Sequence, residues 1–303
     1  MRFRRSAGVV TVAAAALSCL STAAFANTAT AATAAGQAAP HAHHLTHGLG
    51  LNLKELRGKH PDAKLTRHGA QPVFKRSGAA PASADLSKYA LSPGDQGQVG
   101  SCVAWATGYS AYGILMSEQG IGGAPMAPMY IYSQIAQGDD EGTTAGVALP
   151  MEQDQGIDTQ SDYWQGTDDY TTQPDDNERA NAAGYKLSGF DELPTSGSSA
   201  KSAIKNAVSQ GEPVAIGFTV HQSFEDLNSQ TASDYSYLPG DSSSDPVLGG
   251  HEVTIVGYNA QGVKIENSWG SNWGAGGFFT VPWTFFNTGD VNEVHAVGRL
   301  ATS

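Results

Sequence analysis

Of the two cysteines in this 303-residue chain, only Cys102 lies outside an N-terminal stretch that reads as an export signal, so no disulfide within the exported part can staple the fold. Buried apolar packing must hold the chain together. A hydrophobic content of 40% over this length is enough for a sizeable core in one or two domains. Cys102 ends the run Asp95-Gln96-Gly97-Gln98-Val99-Gly100-Ser101-Cys102, directly ahead of residues with helical spacing. An unpaired cysteine in an exported chain calls for a role other than cross-linking. At a helix N-terminus the partial positive charge favours thiolate, so a nucleophile is preferred here over an inert buried thiol.

The other cysteine, Cys19, belongs to the segment read as a signal peptide (1–26). Arg2, Arg4 and Arg5 precede an apolar stretch from about Ala7 to Leu20, and Ala24-Phe25-Ala26 supplies the small residues of a cleavage site. Secretion is the expectation; acylation of Cys19 as a lipoprotein is the weaker alternative. No stretch is apolar over the length needed to span a bilayer, so no integral membrane segment is expected.

Charge is distributed unevenly. Residues 1–84 hold ten of the 17 basic residues but only Glu55 and Asp62 of the 29 acidic ones, which leaves 7 basic against 27 acidic residues from Asp85 onward. A domain this acidic is a poor match for nucleic acid or an anionic membrane. Residues 27–84 read as a pro-segment or linker and carry six of the nine histidines: His41, His43, His44, His47, His60 and His68. A short helix is expected at about Leu51 to Arg57, and a cleavable joint at Gly78 to Ala84. The basic segment is expected to dock electrostatically on the acidic domain, with a disordered spacer as the alternative. The His-rich tract is read as solvated, and no metal or other cofactor is expected.

Past Asp85 the periodicity divides the chain. Trp105, Tyr109, Tyr112 and Met116 recur at helical spacing, which predicts a helix from Cys102 to about Gln119 with Gly120 as its stop. Pro128 opens a second helix reaching Ala136, and Pro150 a short third one to Gln155. After a helix at about Ser199 to Gln210, strands are expected at Pro213 to Val220, His251 to Tyr258, Val263 to Ser268 and Gly277 to Val281, rich in Val, Ile, Phe and Thr. Ser161 to Asn181 and Ser233 to Asp245 read as long polar surface loops. Their aspartates lack the spacing of a calcium loop and read as solvated surface.

Asn259-Ala260-Gln261-Gly262 is a turn signal between two of these strands. An antiparallel hairpin there returns His251, at the start of one strand, and Asn267, at the close of the next, to the same end of the sheet. A thiol nucleophile needs a base, and an imidazole base needs a group to fix its tautomer. Cysteine, histidine and asparagine divide those tasks.

These blocks resemble the papain-like family of cysteine peptidases over most of Asp85 to about Val297. Gln96 stands six residues ahead of Cys102; Gly249-Gly250-His251-Glu252-Val253 resembles the family's histidine block; and Asn267-Ser268-Trp269-Gly270, followed by Trp273-Gly274 and Gly276-Gly277-Phe278, resembles its asparagine block. The resemblance implies Cys102 as nucleophile, His251 as general base and then acid, and Asn267 as its orienter. It further implies Gln96 as oxyanion donor, Trp269 as cover for the His251–Asn267 bond, and the Gly250 carbonyl as acceptor of a substrate amide. Val99 and Val103 stand where many members carry cysteine and tryptophan, which removes the family's usual disulfide of the helical half. Asp140-Glu141-Gly142-Thr143 is read as an acidic surface loop, with a place lining the cleft as the alternative.

The expected fold is α+β, two-lobed and papain-like: a helical lobe over about 95–195, and a lobe of antiparallel sheet or partial barrel over about 196–303. The expected activity is that of a secreted, monomeric cysteine peptidase, by default an endopeptidase, acting on a peptide or protein substrate, with the pro-segment as a possible intramolecular partner. A transpeptidase or ligase using the same site, and a catalytically silent peptide- or wall-binding module, are the alternatives.

Overall fold

The structure is a computed structural model that describes residues 46–57 and 65–301. The signal peptide, Cys19, His41, His43, His44 and His60 lie outside the described residues. The described residues fall within the unit spanning 44–303.

The first described segment holds a one-turn helix, α1 (Leu53–Leu56), whose first turn is capped by the Asn52 side chain accepting from the Glu55 N–H at 3.2 Å. A two-residue strand, β1 (Ala84–Asp85), follows. The long helix expected from Cys102 is present as three consecutive pieces: α2 (Cys102–Ala104), a π-helical stretch Trp105–Ala111, and α3 (Tyr112–Gln119). Gly120 ends it in the left-handed conformation at φ 66°, as a glycine stop requires. Next come α4 (Pro128–Ala136) and α5 (Ala145–Asp154). The latter corrects an expectation: Pro150 lies inside α5 and does not open it. Burial of Ala145, Ala148 and Leu149 on one face extends the helix back past the proline.

A second correction concerns the polar stretch 161–181, which contains the start of α6 (Asp176–Ala182). Asp175 accepts from the N–H groups of Asn177 and Glu178, while Glu178 accepts from the Asp175 N–H, a complete capping box. The Asp-x-x-Glu pattern was legible; the polar composition around it masked the signal.

The remaining elements are β2 (Phe190–Glu192), α7 (Gly197–Val208), β3 (Val214–His221), α8 (Gln222–Glu225), β4 (Val247–Tyr258), β5 (Gly262–Glu266), β6 (Phe278–Pro282) and β7 (Val291–Val297). The strands form one antiparallel sheet in the order β2-β7-β3-β4-β5-β6, with β1 also pairing with β4. Strand β7 has no counterpart among the sequence expectations, because Asn292, Glu293 and His295 interrupt its apolar residues. β5 ends at Glu266, so Asn267 follows the strand rather than closing it.

Two separate apolar clusters give the fold its two lobes. One gathers Tyr112, Leu115, Tyr130, Ile131 and Leu149 among the helices and includes Cys102. The other gathers Phe218, Phe224, Val253, Phe279 and Phe285 on the sheet and includes Trp269. Burying each such side chain contributes about 1.5–3 kcal/mol, and this packing takes the place of the missing disulfide. The lobes meet along the central helix, where Ser110 Oγ donates to Glu266 Oε1 at 3.0 Å and Thr254 Oγ1 donates to the Ala106 carbonyl at 2.8 Å. The loop ahead of Cys102 has a further tie. Both carboxylate oxygens of Asp140 accept from the Gly100 N–H, at 3.0 and 3.2 Å, and Asp140 also accepts from the Tyr132 hydroxyl. Asp140 and Glu141 are exposed, as expected of an acidic surface loop, while Thr143 at the end of the segment is buried. Asp245 is likewise buried, accepting from Ser223 and Gly240 rather than facing solvent.

Candidate active site

Cys102 is the first residue of α2, and its side chain is fully buried. Loss of solvent pushes the thiol up to about 12, against the backbone N–H groups of Glu252, Gly50 and Val103, which hydrogen-bond to it and pull the other way. The helix terminus thus does not produce a standing thiolate here, contrary to expectation. Burial outweighs the half-charge of one helix end.

His251 lies in β4, paired with Phe218 of β3. Its Nε2 is 2.7 Å from Asn267 Oδ1. That oxygen also accepts from the Ser268 N–H at 2.8 Å, which fixes which end of the amide faces the ring. Since Oδ1 can only accept, Nε2 carries the hydrogen and Nδ1 is left as the basic atom. Burial pushes the imidazole down to about 4, with the Asn267 hydrogen bond opposing and His47 reinforcing the shift. Both the Cys102 thiol and the His251 ring are thus held in their uncharged forms by burial. Trp269 stacks on His251 with ring centroids 4.6 Å apart, covering the His251–Asn267 bond from solvent.

Gln96 is completely buried, and its amide is held at both ends. Oε1 accepts from Ser268 Oγ at 2.7 Å, while Nε2 donates to the carbonyls of Val99 at 3.0 Å and Gly48 at 3.2 Å. The last contact belongs to a segment sequence reading did not place: His47-Gly48-Leu49-Gly50-Leu51 runs through the cleft as a strap. His47 stacks on Trp269 at 4.4 Å, the Gly48 N–H donates to the Gly97 carbonyl at 2.9 Å, and the Leu51 N–H donates to the Gly250 carbonyl at 3.1 Å. On the opposite wall Thr143 brackets the strap, its N–H donating to the Gly50 carbonyl and its carbonyl accepting from the Asn52 N–H, both at 2.8 Å.

Docking is therefore mainly by backbone hydrogen bonds and apolar contact. Charged partners of residues 46–57 and 65–76 are Glu225, 3.7 Å from His47 Nδ1, and Asp191, 3.0 Å from the exposed Arg67. The alternating small residues of Gly-Leu-Gly-Leu were the signal for such close passage.

Cys102, Gln96, His251, Asn267, Trp269 and Gly250 thus line one cleft between the two lobes. The strap places an N–H, not a carbonyl carbon, against the sulfur. A thiol facing the Gly50 N–H meets no electrophilic carbon there.

Residues 80–293 match the family described as papain family cysteine protease. Cathepsin K of Gallus gallus is 29% identical over 230 residues, covering 72% of this chain and 64% of that protein. An uncharacterized peptidase C1-like protein of Acanthamoeba polyphaga mimivirus is 36% identical over 84 residues, 27% of this chain and 26% of the viral protein. The chain thus spans less than two thirds of these relatives. Among solved structures, xylellain, a cysteine protease from Xylella fastidiosa, superposes with a TM-score of 0.64 at 20% identity, covering 78% of this chain and 98% of that one. Digestive procathepsin L 3 of Tenebrio molitor larval midgut gives 0.58 at 21% identity, covering 84% and 83%. These two likenesses establish the fold.

Proposed function

Because this chain belongs to the papain family of cysteine proteases, we propose that it is an exported cysteine endopeptidase made as a zymogen, with His47–Leu51 as the inhibitory strap. The observation that carries the reading is the 2.7 Å bond between His251 Nε2 and Asn267 Oδ1 in the same cleft as the buried Cys102 thiol and the braced Gln96 amide.

With the strap gone, water and substrate enter, and burial no longer suppresses ionisation of the thiol and imidazole. His251 Nδ1 takes the Cys102 proton, the thiolate adds to the substrate carbonyl carbon, and Gln96 Nε2 with the Cys102 N–H receives the charge on its oxygen. A preorganised donor of this kind is worth about 3–4 kcal/mol in the transition state. His251 then gives its proton to the leaving amine, and the C–N bond breaks. Water, deprotonated by the same imidazole, hydrolyses the thioester and regenerates the thiol. Asn267 holds the ring in the tautomer this needs, and the Gly250 carbonyl, which accepts the Leu51 N–H in the strapped state, is free to accept a substrate amide.

Residues 1–26 serve as the signal peptide in this reading, and the alanine-rich signal with the disulfide-free domain points to a bacterial secreted enzyme acting as a monomer. Transpeptidation would use the same residues, with an amine in place of water. Peptide-library cleavage followed by mass spectrometry, with Cys102→Ala as control, tests the proposal. Cleavage lost in the control is expected; equal cleavage by both proteins, or none after the strap is displaced, would overturn it.

A further inference from the structure

The Val99–Gly100 peptide, just ahead of Cys102, is gripped from both sides. Its carbonyl accepts from Gln96 Nε2 at 3.0 Å, and its N–H donates to both carboxylate oxygens of Asp140, at 3.0 and 3.2 Å. Asp140 is steadied in turn by the buried Tyr132 of α4, whose hydroxyl donates to it and accepts from the Gly142 N–H at 3.1 Å. At the other end of the Gln96 amide, Oε1 accepts from Ser268 Oγ at 2.7 Å. A line of hydrogen bonds thus runs from the helical lobe through Asp140, one peptide group and the Gln96 amide to the residue that follows Asn267.

The two hydrogens on Gln96 Nε2 have different partners. One goes to the Val99 carbonyl, within the loop; the other goes to the Gly48 carbonyl at 3.2 Å, which belongs to the strap and leaves with it. The second hydrogen is therefore the one a substrate oxygen can receive. It keeps its aim while the first stays on Val99, because the terminal torsion of a glutamine is broad and does not hold the amide plane by itself. The Val99 carbonyl must accordingly be fixed, and residue 99 has no disulfide to fix it. A carboxylate on the N–H of the same peptide does so: the bond is charge-assisted, it sets the peptide plane, and it polarises the carbonyl into a better acceptor for Gln96.

We propose that Asp140, on the exposed rim of the helical lobe, is a positioning residue for the oxyanion donor. Through the Val99–Gly100 peptide its carboxylate keeps the Gln96 amide turned so that one Nε2 hydrogen faces the substrate oxygen. This role rests on the peptidase reading of the cleft.

The test uses the strap-displaced chain, Gly50→Val, and a peptide that it cleaves, with folding of every variant checked by circular dichroism. Asp140→Ala should lower kcat about tenfold with KM little changed, and Asp140→Asn, which can still accept from the Gly100 N–H, should recover it to within about threefold. A residue acting through Gln96 has nothing to act on once that amide is gone. In a Gln96→Ala background Asp140→Ala should therefore change kcat by less than about twofold. An undiminished kcat in Asp140→Ala, no recovery in Asp140→Asn, or a loss of the same size with and without Gln96 would overturn the proposal. The last outcome is what a merely structural tie produces.

A second readout needs no activity. In the full chain with its strap in place, hydrogen exchange at Gln96 Nε2, followed by NMR, should quicken about tenfold in Asp140→Ala, while exchange at the Ile255 N–H inside β4 stays as it was. Unchanged exchange at Gln96 would overturn the proposal. If the strap-displaced chain cleaves no peptide although its Cys102 is freely alkylated, the peptidase reading fails, and this exchange measurement still decides whether Asp140 holds the Gln96 amide.

Discussion

The α-carbon of Gly50 passes so close to the loop ahead of Cys102 that a Cβ there would stand 1.8 Å from the Gly100 carbonyl oxygen. No side chain fits, because the obstacle is backbone. Gly48 is similarly constrained, at 2.4 Å from the Val99 carbonyl oxygen. Glycine is what lets the strap lie on the loop that carries Cys102. Gly50→Val should therefore unseat the strap without touching the catalytic domain, raising the rate of Cys102 alkylation by about a hundredfold or more. An unchanged rate would mean that the strap does not guard the thiol.

In the proposed mechanism Asn267 acts through the His251 ring, to which it is bonded at 2.7 Å. Replacing it with alanine removes the acceptor that fixes the hydrogen on Nε2, leaving the ring free to turn or to carry its hydrogen on the wrong nitrogen. In the strap-displaced chain, Asn267→Ala should lower kcat by about a hundredfold with KM little changed. A loss confined to KM would assign Asn267 to substrate binding.

Asp140 receives two hydrogen-bond donors from separate parts of the helical lobe, the Gly100 N–H and the Tyr132 hydroxyl, across 40 residues of chain in the first case. Removing the carboxylate strands both. Asp140→Ala should cost about 1.5–3 kcal/mol in urea unfolding, and Asp140→Asn, which keeps an acceptor, less. Equal stability of the alanine variant would show the tie to be dispensable.

Burial raises Glu152 to about 8 and Glu266 to about 7, although hydroxyls of Thr107 and Ser110 donate to them. Each folded-state value lies above that of the unfolded chain, so the folded protein binds more protons between pH 4.5 and these values. Their contribution is whole below pH 4.5 and is lost as pH rises toward 7 to 8, at a limiting slope of about 1 kcal/mol per pH unit for each group. Denaturation across this window should show stability falling with pH, and Glu152→Gln should flatten the fall. A flat profile in the unaltered chain would contradict it.

Local signals carried much of the architecture. Helical spacing from Trp105 to Met116 and the β-branched runs around Ile216, Val253 and Ile265 each repeat within a few residues, so the period of one element is enough to read them. The order Cys102, His251, Asn267 was legible for a related reason: a hairpin turn at Asn259 to Gly262 constrains where its two arms end. α6 and β7 were missed where polar residues broke the pattern and burial by distant neighbours decided the outcome.

The linear chain thus determined most of its longer elements and its helix-then-sheet division, because those depend on spacing within short windows. Tertiary structure alone decided that residues 47–51 lie across the sulfur and that Asp140 holds Gly100. The physical reason is desolvation. Whether Cys102 is thiol or thiolate, and whether Glu252 keeps its proton, depends on how much water distant segments exclude, and no local pattern encodes that.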